Sequence, residues 1–126
     1  AANNIAGTPL PFTSKWTADI RGHWREPISD DLQLDLAADV TYRSRFYNAA
    51  DLSPVYGVQR GFAELNARMK LSNSTNSWNL AVVGTNLTNQ RVINLASAWP
   101  FSPSGPDAFG ELEPTRAISV EVSHHF

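Results

Sequence analysis

Apolar residues recur at every second position along most of this chain. In residues 15–26 one parity reads Trp16, Ala18, Ile20, Gly22 and Trp24, and the other Thr17, Asp19, Arg21, His23 and Arg25. Residues 32–43 repeat the scheme, with Leu32, Leu34, Leu36, Ala38, Val40 and Tyr42 set against Gln33, Asp35, Ala37, Asp39, Thr41 and Arg43. Leu65, Ala67, Met69 and Leu71 alternate with Glu64, Asn66, Arg68 and Lys70, and Trp78, Leu80, Val82 and Gly84 with Asn79, Ala81, Val83 and Thr85. The chain closes on Ile118, Val120, Val122 and Phe126, with Ser119, Glu121, Ser123 and His125 between them. A period of two puts the two sets on opposite faces of a strand. The pattern predicts an all-β protein of five amphipathic strands near residues 15–26, 32–46, 62–72, 78–90 and 116–126.

The connections alternate in length. Residues 27–31 and 73–77 read as tight polar turns, whereas 47–61 and 91–115 are long and rich in Pro, Gly, Ser and aromatics. The first 14 residues read as part of another long loop. Short links on one side and long ones on the other predict an antiparallel up-and-down meander whose two ends differ. No linker divides the 126 residues, so one domain segment, 1–126, is expected.

A one-sided soluble sheet gives the same alternation. Three features favour a sheet in lipid. The apolar parity carries no charge across the core of every strand, while the other holds Asp19, Arg21, Arg25, Asp35, Asp39, Arg43, Glu64, Arg68, Lys70 and Glu121. Such a face suits a water-filled lumen with cross-strand ion pairs. The large apolar-face aromatics Trp16, Trp24, Tyr42, Trp78 and Phe126 sit at strand ends. Between Trp16 and Trp24 a tilted strand climbs roughly 20 Å, close to the apolar band between the aromatic girdles of outer-membrane barrels. The short-turn, long-loop asymmetry also matches such barrels.

Composition narrows the classes further. Apolar residues make up 42% and charged residues 17%, as in an ordered protein. The net charge of −2, without a basic stripe, excludes nucleic acid as an expected partner. The absence of cysteine removes disulfides, thiolate metal sites and thiol catalysis. The opening "AANNIAGTPLPF" lacks the pattern of a secretory signal, so the signal of an exported parent is expected upstream of Ala1.

Four segments, in order, resemble the C-terminal end of TonB-dependent receptors, the outer-membrane transporters of Gram-negative bacteria. "GTPLPFTSKWTADI" is similar to the G-x-x-L-P-x-x-P-K-W lead-in to a late strand, with Ser14 where Pro is usual. "FAELNARMKLS" resembles the strand Y-x-L-L-N-A-R-I-G-L, and "WNLAVVGTNLTNQ" the strand W-x-L-x-L-x-G-x-N-L-T-D. "RAISVEVSHHF" resembles the closing strand that ends in Phe, with His124 where an aromatic or apolar residue is more usual. The resemblance covers residues 7–126. It implies the last five strands of a barrel of about 22 strands with a plugged lumen. It implies uptake of a scarce nutrient of the iron–siderophore, cobalamin or carbohydrate class, driven by the TonB system, across the cell outer membrane. Expected partners are outer-membrane lipid, the rest of the barrel and its plug, the TonB energy-transducing complex through the missing N-terminal part, and the barrel-assembly machinery. That machinery would read Ile118, Val120, Val122 and Phe126 as its signal. The chain would then be a fragment, and alone in water an oligomer.

Candidate chemistry is sparse. His124 and His125 point to opposite faces of a strand and cannot share one metal ion. His23 reads as a polar filler of the lumen face. Asp35, Asp39 and Glu64, at similar depths to Arg21, Arg43 and Arg68, read as an ion-pair ladder rather than an acid/base pair. The glycosylation-like triplets at Asn73 and Asn86 read as chance, and "SGP" at 104–106 is too short to cradle a phosphate. No catalytic constellation, metal site or cofactor motif is present, so an enzyme is not expected. The loop 91–115 carries the binding expectation: Trp99, Phe101, Asp107 and Phe109, together with Glu111 and Glu113, read as a ligand-receiving surface. The competing reading is a soluble β-barrel or β-sandwich that binds a small apolar ligand in its core.

Overall fold

A computed structural model describes residues 6–100 and 107–126. Among them run nine strands, β1 (Thr17–Ser29), β2 (Leu32–Arg43), β3 (Phe46–Tyr47), β4 (Val58–Gln59), β5 (Phe62–Asn73), β6 (Trp78–Thr85), β7 (Ile93–Ala98), β8 (Ala108–Leu112) and β9 (Ala117–His124). Five form one sheet in the order β1-β2-β5-β6-β9. This is the antiparallel five-stranded meander expected from the alternation. β1 and β9 are its edges, and among the described residues no closed barrel forms.

The chain divides into two compact units. The meander, with Ala18–Tyr42, Ala63–Gln90 and Pro114–Phe126, is one. The described parts of Ala1–Thr17, Arg43–Phe62 and Arg91–Glu113 are the other.

Register in the meander keeps the two residue sets apart. Met69 lies opposite Val82 and Leu71 opposite Leu80. Val82 in turn faces Val120, Leu80 faces Val122 and Gly84 faces Ile118. On the other side Arg68 pairs with Val83, Lys70 with Ala81, and Ala81 with Glu121. His124 lies opposite Trp78 on the apolar side, as its parity requires.

Strand ends differ from the sequence expectation by a few residues, for local reasons. β1 runs three residues further, through Pro27 to Ser29, and a two-residue turn at Asp30 and Asp31 follows. Pro27 lies near the end of β1, an edge strand among the described residues. β2 stops at Arg43; beyond it the Ser44 hydroxyl, in place of a backbone carbonyl, accepts a hydrogen bond from the Trp16 amide at 2.9 Å. β6 stops at Thr85 rather than near residue 90, since Asn86 and Asn89 both take positive φ, 47° and 53°. β9 ends at His124, although the His125 amide still donates to the Ser77 carbonyl at 2.7 Å. Phe126 lies beyond the strand and is exposed, its ring centroid 4.7 Å from that of His124.

The long connections are not plain loops. β3 pairs with β4, with Phe46 opposite Gln59, and β7 pairs with β8. Phe46, Phe62 and Val92 form a buried apolar cluster in this second unit. Asn48 ties the unit together: its amide donates to Gly57 O, its Nδ2 to Ile93 O, and its carbonyl accepts from the Ala96 amide.

Candidate functional site

The meander separates an apolar face from a polar one. The apolar face is open, with Ile20 72% exposed, Trp24 65% and Val122 76%; the polar face is open at β1 as well, and its buried charged residue is Asp35 on β2, at 8%. The hydrophobic effect favours covering such an apolar face. The polar face is held by side chains reaching across strands. Asp35 on β2 accepts from Arg25 Nε of β1 at 2.6 Å, and its carboxylate lies 3.4 Å from His23 Nε2 and 3.7 Å from Lys70 Nζ of β5. Alternation explains the cluster: odd residues of β1 and β2 and even residues of β5 share this face.

Arg68 and Glu121 lie on strands separated by β6, yet their side chains meet at 3.1 Å. Ala81, in register with Lys70 and Glu121, is fully buried on that face. A methyl group there leaves room for the longer side chains around it. Thr41 Oγ1 donates to Asp19 at 2.7 Å, and Asn66 Nδ2 to Asp39 at 3.0 Å. A ladder therefore exists, but with other members than its sequence assignment. Arg21, Arg43 and Glu64 make no ion pair among the described residues, and His23 is a partner of Asp35 rather than an isolated filler. Sequence spacing fixed which face each group occupies; it did not fix the stagger between strands, which selects partners.

The apolar face carries a trough of about 590 Å³ floored by Gly22, Ala38, Ala67 and Gly84 and walled by Trp24 and Leu36. Its lining is mostly apolar, with His23 and Arg68 as its charged or titratable members.

After β6 the segment "GTNLTN" forms a tight, fully bonded turn. Leu87 folds back over Gly84, where a Cβ would stand 2.6 Å from Leu87 Cδ2 and oblige that side chain to shift. Asn86 is 3% exposed. Its Nδ2 donates to Gln90 O and Pro114 O, its Oδ1 accepts from the Gln90 amide, and its own amide donates to Asn66 Oδ1. Thr88 Oγ1 donates to Ala63 O at 2.9 Å. Each conspicuous residue of that motif thus has a turn-building role, the Asn86 of the glycosylation-like triplet included.

In the second unit the structure gathers three of the four predicted ligand-binding residues. Trp99 and Phe109 meet edge to face, ring centroids 5.9 Å apart, and the Trp99 amide donates to Asp107 O at 2.7 Å. Both rings remain largely exposed at the end of the β7–β8 hairpin. Phe101 lies outside the described residues. Nearby in sequence to β4, the Tyr56 hydroxyl donates to the Asp51 carboxylate. That bond holds the Asp51 carboxyl below the ordinary carboxylate range and pushes the Tyr56 phenol up.

Of the proposed assembly residues, Ile118, Val120 and Val122 line the apolar side of β9, an edge strand, and all three are exposed. Comparison with known proteins returns no match: no family model, no curated protein and no solved structure is significantly similar to this chain.

Proposed function

We propose that this chain forms the last five wall strands of a TonB-dependent outer-membrane transporter that takes up a scarce nutrient. The observation that carries the reading is the two-faced sheet: uncovered Ile, Val and Trp on one face and an interlocked Asp35–Arg25–His23–Lys70 cluster on the other. A transmembrane barrel needs this division, with lipid outside and a polar lumen inside. The open edges of β1 and β9 fit strands that continue into neighbours in the parent protein. The G-x-N-L-T segment, the most specific piece of the resemblance, forms a hydrogen-bonded turn. Substrate class, the plug and the TonB and assembly-machinery contacts enter through that resemblance.

On this reading the connections 47–61 and 91–115 face the cell exterior, and the turns at 27–31 and 73–77 face the periplasm. Single cysteines at Ser53 and Ser74 in the parent protein, probed on intact cells with a membrane-impermeant maleimide, test the proposal. Labelling is expected at Ser53 and not at Ser74. Labelling at Ser74 alone would invert the topology, and labelling of both on intact cells would remove the membrane.

A further inference from the structure

The second unit contains a recess that neither the ion-pair ladder nor the aromatic hairpin uses. It measures about 570 Å³ and is lined by Pro9, Leu10, Lys15, Arg45, Phe46 and Tyr47 among others. That volume lies in the usual range for small-molecule sites, roughly 300–1,000 Å³. Its walls are held in place by backbone bonds. The Phe12 amide donates to Tyr47 O at 2.6 Å, and Trp16 and Ser44 bond each other in both directions at 2.9 Å. Its floor is firm, because Phe46 belongs to the buried cluster with Phe62 and Val92.

Among the described residues, two cations line this recess without a carboxylate partner. Arg25, Lys70 and Arg68 all reach carboxylates in the meander, whereas among the described residues Lys15 and Arg45 have no carboxylate within ion-pair distance. Arg45 is instead steadied by the face of Tyr47, its guanidinium carbon 5.7 Å from the ring centroid. A guanidinium held by an aromatic ring keeps its hydrogen-bonding fork free for a planar or tetrahedral anion. A second cation beside it concentrates positive potential in a concave, partly apolar site. Leu10, Pro9 and Phe46 supply an apolar surface next to that charge.

We propose that this recess is a binding site for an anionic group, carboxylate or phosphate, carried on a compact apolar body. Lys15 and Arg45 take the charge, Tyr47 orients Arg45, and Leu10 and Phe46 take the apolar part. The site rests on the geometry of its own unit and is read by binding rather than by transport. Its failure and that of the transporter reading are therefore distinguishable.

Two sources can supply such a group, a soluble small acid or the headgroup of an anionic lipid, and two arms separate them. In the first, the full chain in zwitterionic lipid nanodiscs is titrated calorimetrically with benzoate and with phenyl phosphate, benzamide being the uncharged control. In the second, native mass spectrometry counts phosphatidic acid retained from nanodiscs that contain it. Binding in either arm should weaken at least tenfold in the Lys15→Gln/Arg45→Gln double variant. It should be unchanged in Arg60→Gln, which removes an exposed cation outside the recess. Arg45→Lys should recover part of the loss, since it restores charge without the fork. Benzamide should bind at least tenfold more weakly than benzoate. Circular dichroism checks that each variant keeps its sheet. Absence of binding in both arms overturns the proposal, as does binding that the double variant leaves intact or that Arg60→Gln weakens equally.

Discussion

At the scale of single residues, Asn86 joins β6 to the approach of β9. It takes a left-handed backbone, φ 47°, and its amide side chain bonds to Gln90 and to Pro114, 28 positions away in sequence. Asparagine tolerates that backbone better than most residues, and glycine better still. Asn86→Ala should therefore destabilise the meander by about 1–3 kcal/mol, from lost side-chain bonds and backbone strain together. Asn86→Gly should cost less, having only the first loss. Urea unfolding of the chain refolded into lipid, followed by tryptophan fluorescence, compares them; an Ala variant as stable as wild type would deny the turn its role. The sequence displayed the residue but not the role. Nothing local indicates that Pro114 O would be its acceptor, and the alternation at Val83 and Thr85 made 86–90 look like more strand. Asp35 was legible as a polar-face carboxylate. Its partners were not, because the stagger that brings Arg25 and Lys70 to it arises between strands rather than within one.

At the scale of elements, the five long strands were readable because one face of each is uniformly apolar over several residues, a signal that local noise does not erase. β3, β4, β7 and β8 were not. Two of them are two residues long, and β7 and β8 lie in a stretch whose Pro, Gly and Ser content marks it as irregular. Their pairing depends on Asn48 and on the buried cluster of Phe46, Phe62 and Val92, which only the folded unit assembles. Between β3 and β4 the Asp51–Tyr56 bond closes the connection, and the Gly57 amide donates to Ser53 O at 3.0 Å. The Asp51 carboxyl is held below its ordinary value. Its contribution is thus present above about pH 4 and is lost as pH falls through the depressed folded value. The Tyr56 phenol is raised, so its contribution is present below about pH 10 and is lost as pH rises through the raised value. Hydrogen-exchange protection of the Gly57 amide should hold across that window and fall at both limits. Tyr56→Phe should lower protection within the window and flatten both limbs; a pH response that persists in Tyr56→Phe would assign it to other groups.

At the scale of the whole molecule, unpaired edges at β1 and β9 and an exposed apolar face lead us to predict that the chain associates in water. In detergent-free buffer the 13.9 kDa chain should sediment as an oligomer, and as a smaller species once detergent covers its apolar face. A folded monomer in water would favour a soluble β-protein. The central claim, that one face meets lipid and the other a water-filled lumen, is tested most directly on β9, where neighbouring residues alternate between the two. Val120 lies opposite Val82 on the apolar face, and Ser119 opposite Val83 on the polar face. Nitroxide labels at these two positions of the parent protein in bilayers can be relaxed by molecular oxygen, which concentrates in lipid, or by a water-soluble nickel chelate. The account predicts that oxygen relaxes the label at Val120 more strongly and the nickel chelate the label at Ser119. Equal nickel access at both positions, or the opposite pattern, would contradict it.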